Sequence, residues 1–150
     1  MTTPIEDIEK CIGEMTANVK EYQENVDKFE FCISMGMRYE GIDEDLRRMK
    51  LMVKGGTDEL NMYKLEKMIR VAIRDKKLKP IAEIVRKKYN DQCTLLLENL
   101  EEFGHIKNMT EGQYLHCANM LKYNRDLINE IVDDVMYNRD LINEIVDNYR

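Results

Sequence analysis

The sequence predicts an all-α protein, a bundle of about five helices with long first and last members. Three observations carry this expectation. Only 2 Pro and 7 Gly occur in 150 residues, too little turn chemistry for a sandwich or barrel of short strands. Apolar residues recur at alternating three- and four-residue spacings over long stretches, the period of a helix face. Helix start and stop residues stand where those stretches begin and end. With 43% hydrophobic and 35% charged residues, the composition is neither disordered nor membranous, and the length suffices for one core.

The first helix opens at Thr3-Pro4-Ile5-Glu6. Thr3 is a capping residue, Pro4 suits the first helical position, and Glu6 completes a capping box. Ile5, Ile8, Ile12, Met15, Val19, Tyr22, Val26, Phe29 and Ile33 then keep heptad-like spacing. The pattern predicts about 30 helical residues, either the long member of a bundle or one strand of a coiled coil. Gly36 and Gly41 end or bend it. A short helix is expected over Asp43–Lys54, burying Leu46, Met49 and Met52 or Val53, with Gly55-Gly56 as its stop. Thr57 is expected to cap a third helix, whose inner face carries Leu60, Leu65, Met68, Ile69, Ala72 and Ile73. Pro80 separates it from a fourth, carrying Ile81, Ile84, Val85, Tyr89, Cys93, Leu96, Leu100 and Phe103 and closed by Gly104. The last start signal is the fullest. Thr110 caps, Gln113 is its reciprocal partner, and Met109 with Tyr114 forms a hydrophobic staple. No Pro and no Gly beyond Gly112 follow to about Asn148, so this helix runs for about 38 residues.

That helix contains a duplication. Residues 123–133 and 137–147 both read YNRDLINEIVD, fourteen residues apart. Two whole heptads place both copies on one face of a supercoiled helix. The chain therefore divides into a helical bundle over 1–136 and a duplicated extension over 137–150, continuous with the last helix. One copy completes a core. The stripe Leu141, Ile142, Ile145, Val146 and Tyr149 of the second is surplus, and is expected to mediate self-association, as a homo-oligomer or domain-swapped dimer. The alternative is a duplication, natural or engineered, without a selected role.

Charge is segregated. Residues 67–88 carry nine basic groups against Asp75 and Glu83, a net of +7, whereas residues 1–66 and 89–150 carry −6 and −7. The basic stretch suits an acidic protein partner or, as the alternative, nucleic acid or an anionic surface. Few aromatics are interleaved with it, which disfavours base stacking. Neutralisation by the acidic first and last helices is the third possibility. Six of the 11 Met fall between Met35 and Met68, where they serve as core filling or as an adaptable partner surface.

The four cysteines, Cys11, Cys32, Cys93 and Cys117, lack C-x-x-C pairing and sit in helical patterns, so reduced core thiols are expected. His105 and His116 complete no ligand set, so no metal or other cofactor is expected. Asn108-Met109-Thr110 matches a glycosylation sequon, although the capping role accounts for Thr110. No apolar run approaches the ~18 to 20 residues that span a bilayer, and MTTPIEDIEK lacks an apolar signal core. An intracellular protein is expected, nuclear or cytoplasmic. There is no phosphate-binding glycine loop, no G-x-S-x-G elbow and no evident nucleophile–base pair, so no enzyme is expected.

Leu46 and Met49 in a short helix, Thr57 and Leu60 opening the next, then Met68, Ile69 and Ile73 before a basic connection, lead into Ile81-Ala82-Glu83-Ile84-Val85-Arg86-Lys87-Lys88-Tyr89. With these features, Asp43 to Tyr89 resembles the N-terminal domain of the elongation factor TFIIS and the related integrase-binding domain of LEDGF-type chromatin tethers. Tyr89 stands where that family has a Trp. The resemblance covers about a third of the chain and implies a small helical bundle that grips short disordered motifs of transcription proteins.

Together these features point to a non-enzymatic adaptor or scaffold that binds a helical or disordered peptide. The candidate partner-binding residues are Met49, Met52, Met68, Arg70, Arg74, Arg86, Lys87 and Lys88.

Overall fold

The computed structural model describes the backbone of residues 4–107 and 109–148, and the side chains of residues 5–105 and 109–137. Four long helices make up the fold: α1 (Pro4–Ser34), α2 (Ile42–Arg74), α3 (Ala82–Lys107) and α4 (Glu111–Asn148), with one 3-10 turn at Lys79–Ile81. No strand occurs among the described residues. No described helix is long and apolar enough to cross a membrane.

Cross-helix pairs give the direction of each helix. Lys67 meets Glu9 and Lys50 meets Glu30, so α1 and α2 are antiparallel. Arg47 bonds Glu102 at 2.8 Å while Cys93 meets Met62, so α2 and α3 are antiparallel. Arg86 meets Asp133 and Asn90 meets Asn129, so α3 and α4 are too. The chain thus rises and falls as an up-down-up-down array. Each helix packs chiefly on its sequence neighbour, and α4 touches α2 only lightly.

The ends of the helices follow from local chemistry. Pro4 opens α1, as the sequence predicts, while Thr3 lies outside the described residues. Past Ser34, the Met37 amide donates to the Cys32 carbonyl and the Gly36 amide to that of Ile33, at 3.0 Å each. This is a Schellman closure, with Gly36 at φ +83° in the left-handed region it requires. The same six-residue closure ends α2, but Lys76 takes the left-handed position at φ +57°. Pro80 then stands in the 3-10 turn, beside the fully buried Leu78. At α4, the Thr110 amide donates to Gln113 Oε1 at 3.0 Å and the Gln113 amide to Thr110 Oγ1 at 3.1 Å, the expected capping box. The helix that follows has 38 residues.

Two expectations are corrected. There are four helices rather than about five, because Asp43–Lys54 and the helix expected after Thr57 are parts of one helix, α2. Gly55-Gly56 does not stop it. A Cβ on Gly56 would lie 2.9 Å from Val19 Cγ2 of α1, and one on Gly55 would run into the Asn99 amide of α3. The pair leaves room for two neighbouring helices to pack close on α2. Thr57 accordingly caps nothing; its hydroxyl donates to the Val53 carbonyl at 2.7 Å, one turn back. Likewise Gly104 does not close α3, which continues to Lys107. It lies against Met109 and Tyr114, the two residues expected to form the staple.

The core runs through α2, α3 and α4, with Met62, Ile69, Leu78, Val85, Tyr89, Cys93, Ile128 and Val132 at its centre. Of the duplicated segment, the first copy supplies Ile128 at 2% exposure and Val132 at 0%. The side chains of Leu141, Ile142, Ile145 and Val146, and Tyr149 entirely, lie outside the described residues.

The glycines divide into two kinds, which mutagenesis can separate. A Cβ on Gly13, exposed in mid-α1, meets nothing within 4 Å, so Gly13→Ala should stabilise the fold by about 1 kcal/mol through helix propensity. Gly56→Leu should instead destabilise it by about 1 to 3 kcal/mol through overpacking. Urea denaturation of both variants reads these opposite signs; a stabilising Gly56→Leu would show that α1 does not press on α2 there.

Candidate partner-binding groove

The neighbour-on-neighbour array leaves α1 and α4 on either side of an open groove floored by α2 and α3. Its upper part, about 450 Å3, has Met15 and Tyr22 on the α1 wall and Met120 and Leu121 on the α4 wall. Met52, Gly55, Gly56 and Met62 of α2, with Leu96, Leu100 and Phe103 of α3, form the floor. A separate lower hollow, about 690 Å3, has Ile5, Glu6 and Glu9 of α1, Ile69 and Ile73 of α2, and Ile128 and Ile131 of α4, with Arg70 and Arg74 at the edge.

The α4 wall has a second apolar face. Ala118, Ile128 and Val132 are buried, whereas Met120 (55%), Tyr123 and Leu127 are exposed at helical spacing. One face of α4 therefore serves the core, and another stays available beside the groove.

Three polar features mark the upper groove. Asn99, 8% exposed, lies in its floor and donates from Nδ2 to the Leu51 carbonyl at 3.3 Å. Its Oδ1 is buried with no hydrogen-bond partner among the described residues. The Tyr63 hydroxyl donates to Glu59 Oε1 at 3.0 Å. Burial and then the Glu59 carboxylate push the Tyr63 hydroxyl well above its usual pKa, so it stays protonated as a donor. Beneath, the Cys93 thiol donates to Met62 Sδ at 3.6 Å. Tyr89 is 1% exposed, and its hydroxyl has no partner among the described residues.

The candidate residues read from the sequence are only partly brought together. Met52 lines the upper groove, and Arg70 and Arg74 edge the lower hollow. Met49 is half-buried on α2, and Met68 is exposed. Arg86 lies in the α3–α4 seam, 2.6 Å from Asp133 and 4.0 Å from Glu83. Lys87 meets Asp91 at 3.7 Å, and Lys88 borders a separate shallow hollow with Asn61 and Lys64. Arg70 is held by Glu66 and Arg74 by Asp75, both at 3.1 Å, and Lys67 by Glu9 at 3.3 Å. The basic segment is thus not one continuous cationic face; acids of α1, α2, α3 and α4 interrupt it.

Tyr22, Asn99 and Met120 are the groove residues sequence reasoning missed. Asn99 carried a signal, a polar residue three after Leu96 on the apolar face of α3. For Met120, the signal was a second apolar spacing through Tyr123 and Leu127.

All four cysteines are free thiols. Cys93 is buried, and burial pushes its thiol up to about 11, whereas Cys11, Cys32 and Cys117 are half-buried. Iodoacetamide at pH 8 should therefore modify those three in the native protein and reach Cys93 only after unfolding. Equal rates at all four, read by mass spectrometry, would contradict this core placement. No family model, curated protein or solved structure matches the chain.

Proposed function

We propose that the chain is a non-enzymatic interaction module whose groove between α1 and α4 receives an amphipathic helix of a protein partner, or a disordered segment that folds into one. The observation that supports this reading best is the open apolar groove itself. It has a wall on each side, a floor of two helices, and methionines on three of its four helices. Methionine adapts to irregular apolar surfaces at little conformational cost. An amphipathic helix placed there would bury its own apolar stripe against Met120, Met52 and Met15, the helix-in-groove mode of recognition.

Arg70 and Arg74 at the lower edge are each paired with a carboxylate, and Glu6 and Glu9 line the same hollow, so an acidic partner gains little there. The affinity is carried by apolar anchors. Nucleic-acid binding through residues 67–88 has less support. Lys67, Arg70, Arg74, Arg86 and Lys87 each have a carboxylate within 4.0 Å, and neutralised cations release few counterions on binding a phosphate backbone.

Selection of a random displayed peptide library against the purified chain tests the reading. Enriched peptides should carry apolar residues at i, i+3, i+4 and i+7. Their affinity should fall by about tenfold or more (~1.4 kcal/mol) with Met120→Asp, and hold with Ile84→Asp, a position 61% exposed on α3 outside the groove. Peptides indifferent to Met120→Asp would place the binding face elsewhere.

A further inference from the structure

Among the described residues that line the upper groove, Glu59 is the one that carries a charge. It stands on the α2 floor, seven residues after Met52 and three before Met62, so apolar surface lies on both sides of it. Glu59 is half-buried, and its carboxylate accepts a bond from the Tyr63 hydroxyl at 3.0 Å. That hydroxyl is neutral, since burial and the carboxylate itself both hold its proton on. No base of the described residues lies within 4.0 Å of Glu59. Elsewhere on α2, Asp43, Asp45 and Glu66 each have an arginine.

The surroundings do not supply the missing cation. The segments that line the groove, residues 15–22, 51–63, 96–103 and 117–124, carry six acids and three bases. Glu102 is set against Arg47 from beyond these segments, which leaves five acids to the three bases Lys20, Lys54 and Lys122. Lys54 lies near Asp58, and Lys20 and Lys122 are exposed.

A helix that fills the groove takes water away from Glu59. A wholly apolar stripe would leave its carboxylate covered with only a neutral hydrogen bond, and burying a charge without a counter-charge is costly. An Asp or Glu at that point would add repulsion between like charges. A Lys or Arg meets the carboxylate and lays its methylene stem along the methionines.

Resting on the helix-in-groove reading above, we infer that the partner is a basic amphipathic helix whose apolar stripe is interrupted by one Lys or Arg that pairs with Glu59. The cation falls inside the stripe rather than at its end, because Met52 and Met62 stand on either side of Glu59 along α2. Apolar anchors on both sides then exclude water from the pair. Glu59 selects by exclusion as well as by attraction, since stripes without a cation leave it buried and unpaired.

A displayed peptide library, selected in parallel on the full chain and on its Glu59→Gln variant, tests this. Glutamine keeps an acceptor for Tyr63 and removes the charge. Peptides selected on the parent should carry a Lys or Arg with apolar stripe residues on both sides. Selection on Glu59→Gln should lose that cation and keep the stripe. For a parent-selected peptide, Glu59→Gln in the protein, or methionine in place of the cation in the peptide, should each weaken binding about tenfold. Together they should cost no more than either alone, because no unpaired charge is then left. The change in the peptide is read on the unaltered protein, so it decides the question even if Glu59→Gln disturbs the fold. Peptides that need Met120 but are indifferent to both changes overturn the cation pairing and leave the helix-in-groove reading standing. The absence of any Met120-dependent peptide overturns both.

Discussion

The whole arrangement depends on α2 serving two neighbours along one continuous helix. Gly55 and Gly56 make this possible by removing side chains at two adjacent positions that face different helices. Val19 of α1 closes on one and Asn99 of α3 on the other. Glycine in a helix interior costs roughly 1 kcal/mol each relative to alanine, so close packing on both sides must offset about 2 kcal/mol. Once α1 and α3 both sit on α2 at this level, α4 has only α3 as its main support. The groove between α1 and α4 follows from that division of surfaces and needs no residue dedicated to creating it.

Helix ends were legible in the sequence because they are decided locally. Pro4 acts through its fixed φ, and Gly36 and the Thr110–Gln113 box through bonds to residues three to five away; the structure contains each of them. Gly55-Gly56 and Gly104 were misread for a related reason. A glycine that ends a helix and one that admits a neighbour look alike within a short window. Only tertiary packing distinguishes them, and at both places packing prevails over the local stop signal. The candidate site was legible in the same measure. Met52 belongs to a visible methionine cluster, and Arg70 and Arg74 to a visible charge run. Tyr22, Asn99 and Met120 join them only because three hairpin connections bring four helix faces together.

The charge segregation has a structural use. The acidic excess of α1 and α4 is drawn in part onto the basic residues of α2 and α3, through Glu9 with Lys67, Glu30 with Lys50 and Asp133 with Arg86. Exposed pairs of this kind each contribute at most about 1 kcal/mol, so they do not hold the bundle together. They instead bias which faces meet, because a wrong pairing of α1 with α4 would oppose two acidic helices. Electrostatics and apolar packing thus favour the same neighbour order, and that order keeps α1 and α4 apart.

The duplication bears on this balance at the end of α4. A single YNRDLINEIVD segment already satisfies α3 with two buried aliphatics, an asparagine pair and an ion pair. A fourteen-residue insertion preserves heptad phase, so it lengthens α4 without disturbing the first copy's contacts. An insertion out of phase would have rotated every later apolar residue around the helix. Phase preservation therefore accounts for a fold that tolerates the repeat. It also carries the α4 backbone on to Asn148, past Val135 and Met136, which pack on the core.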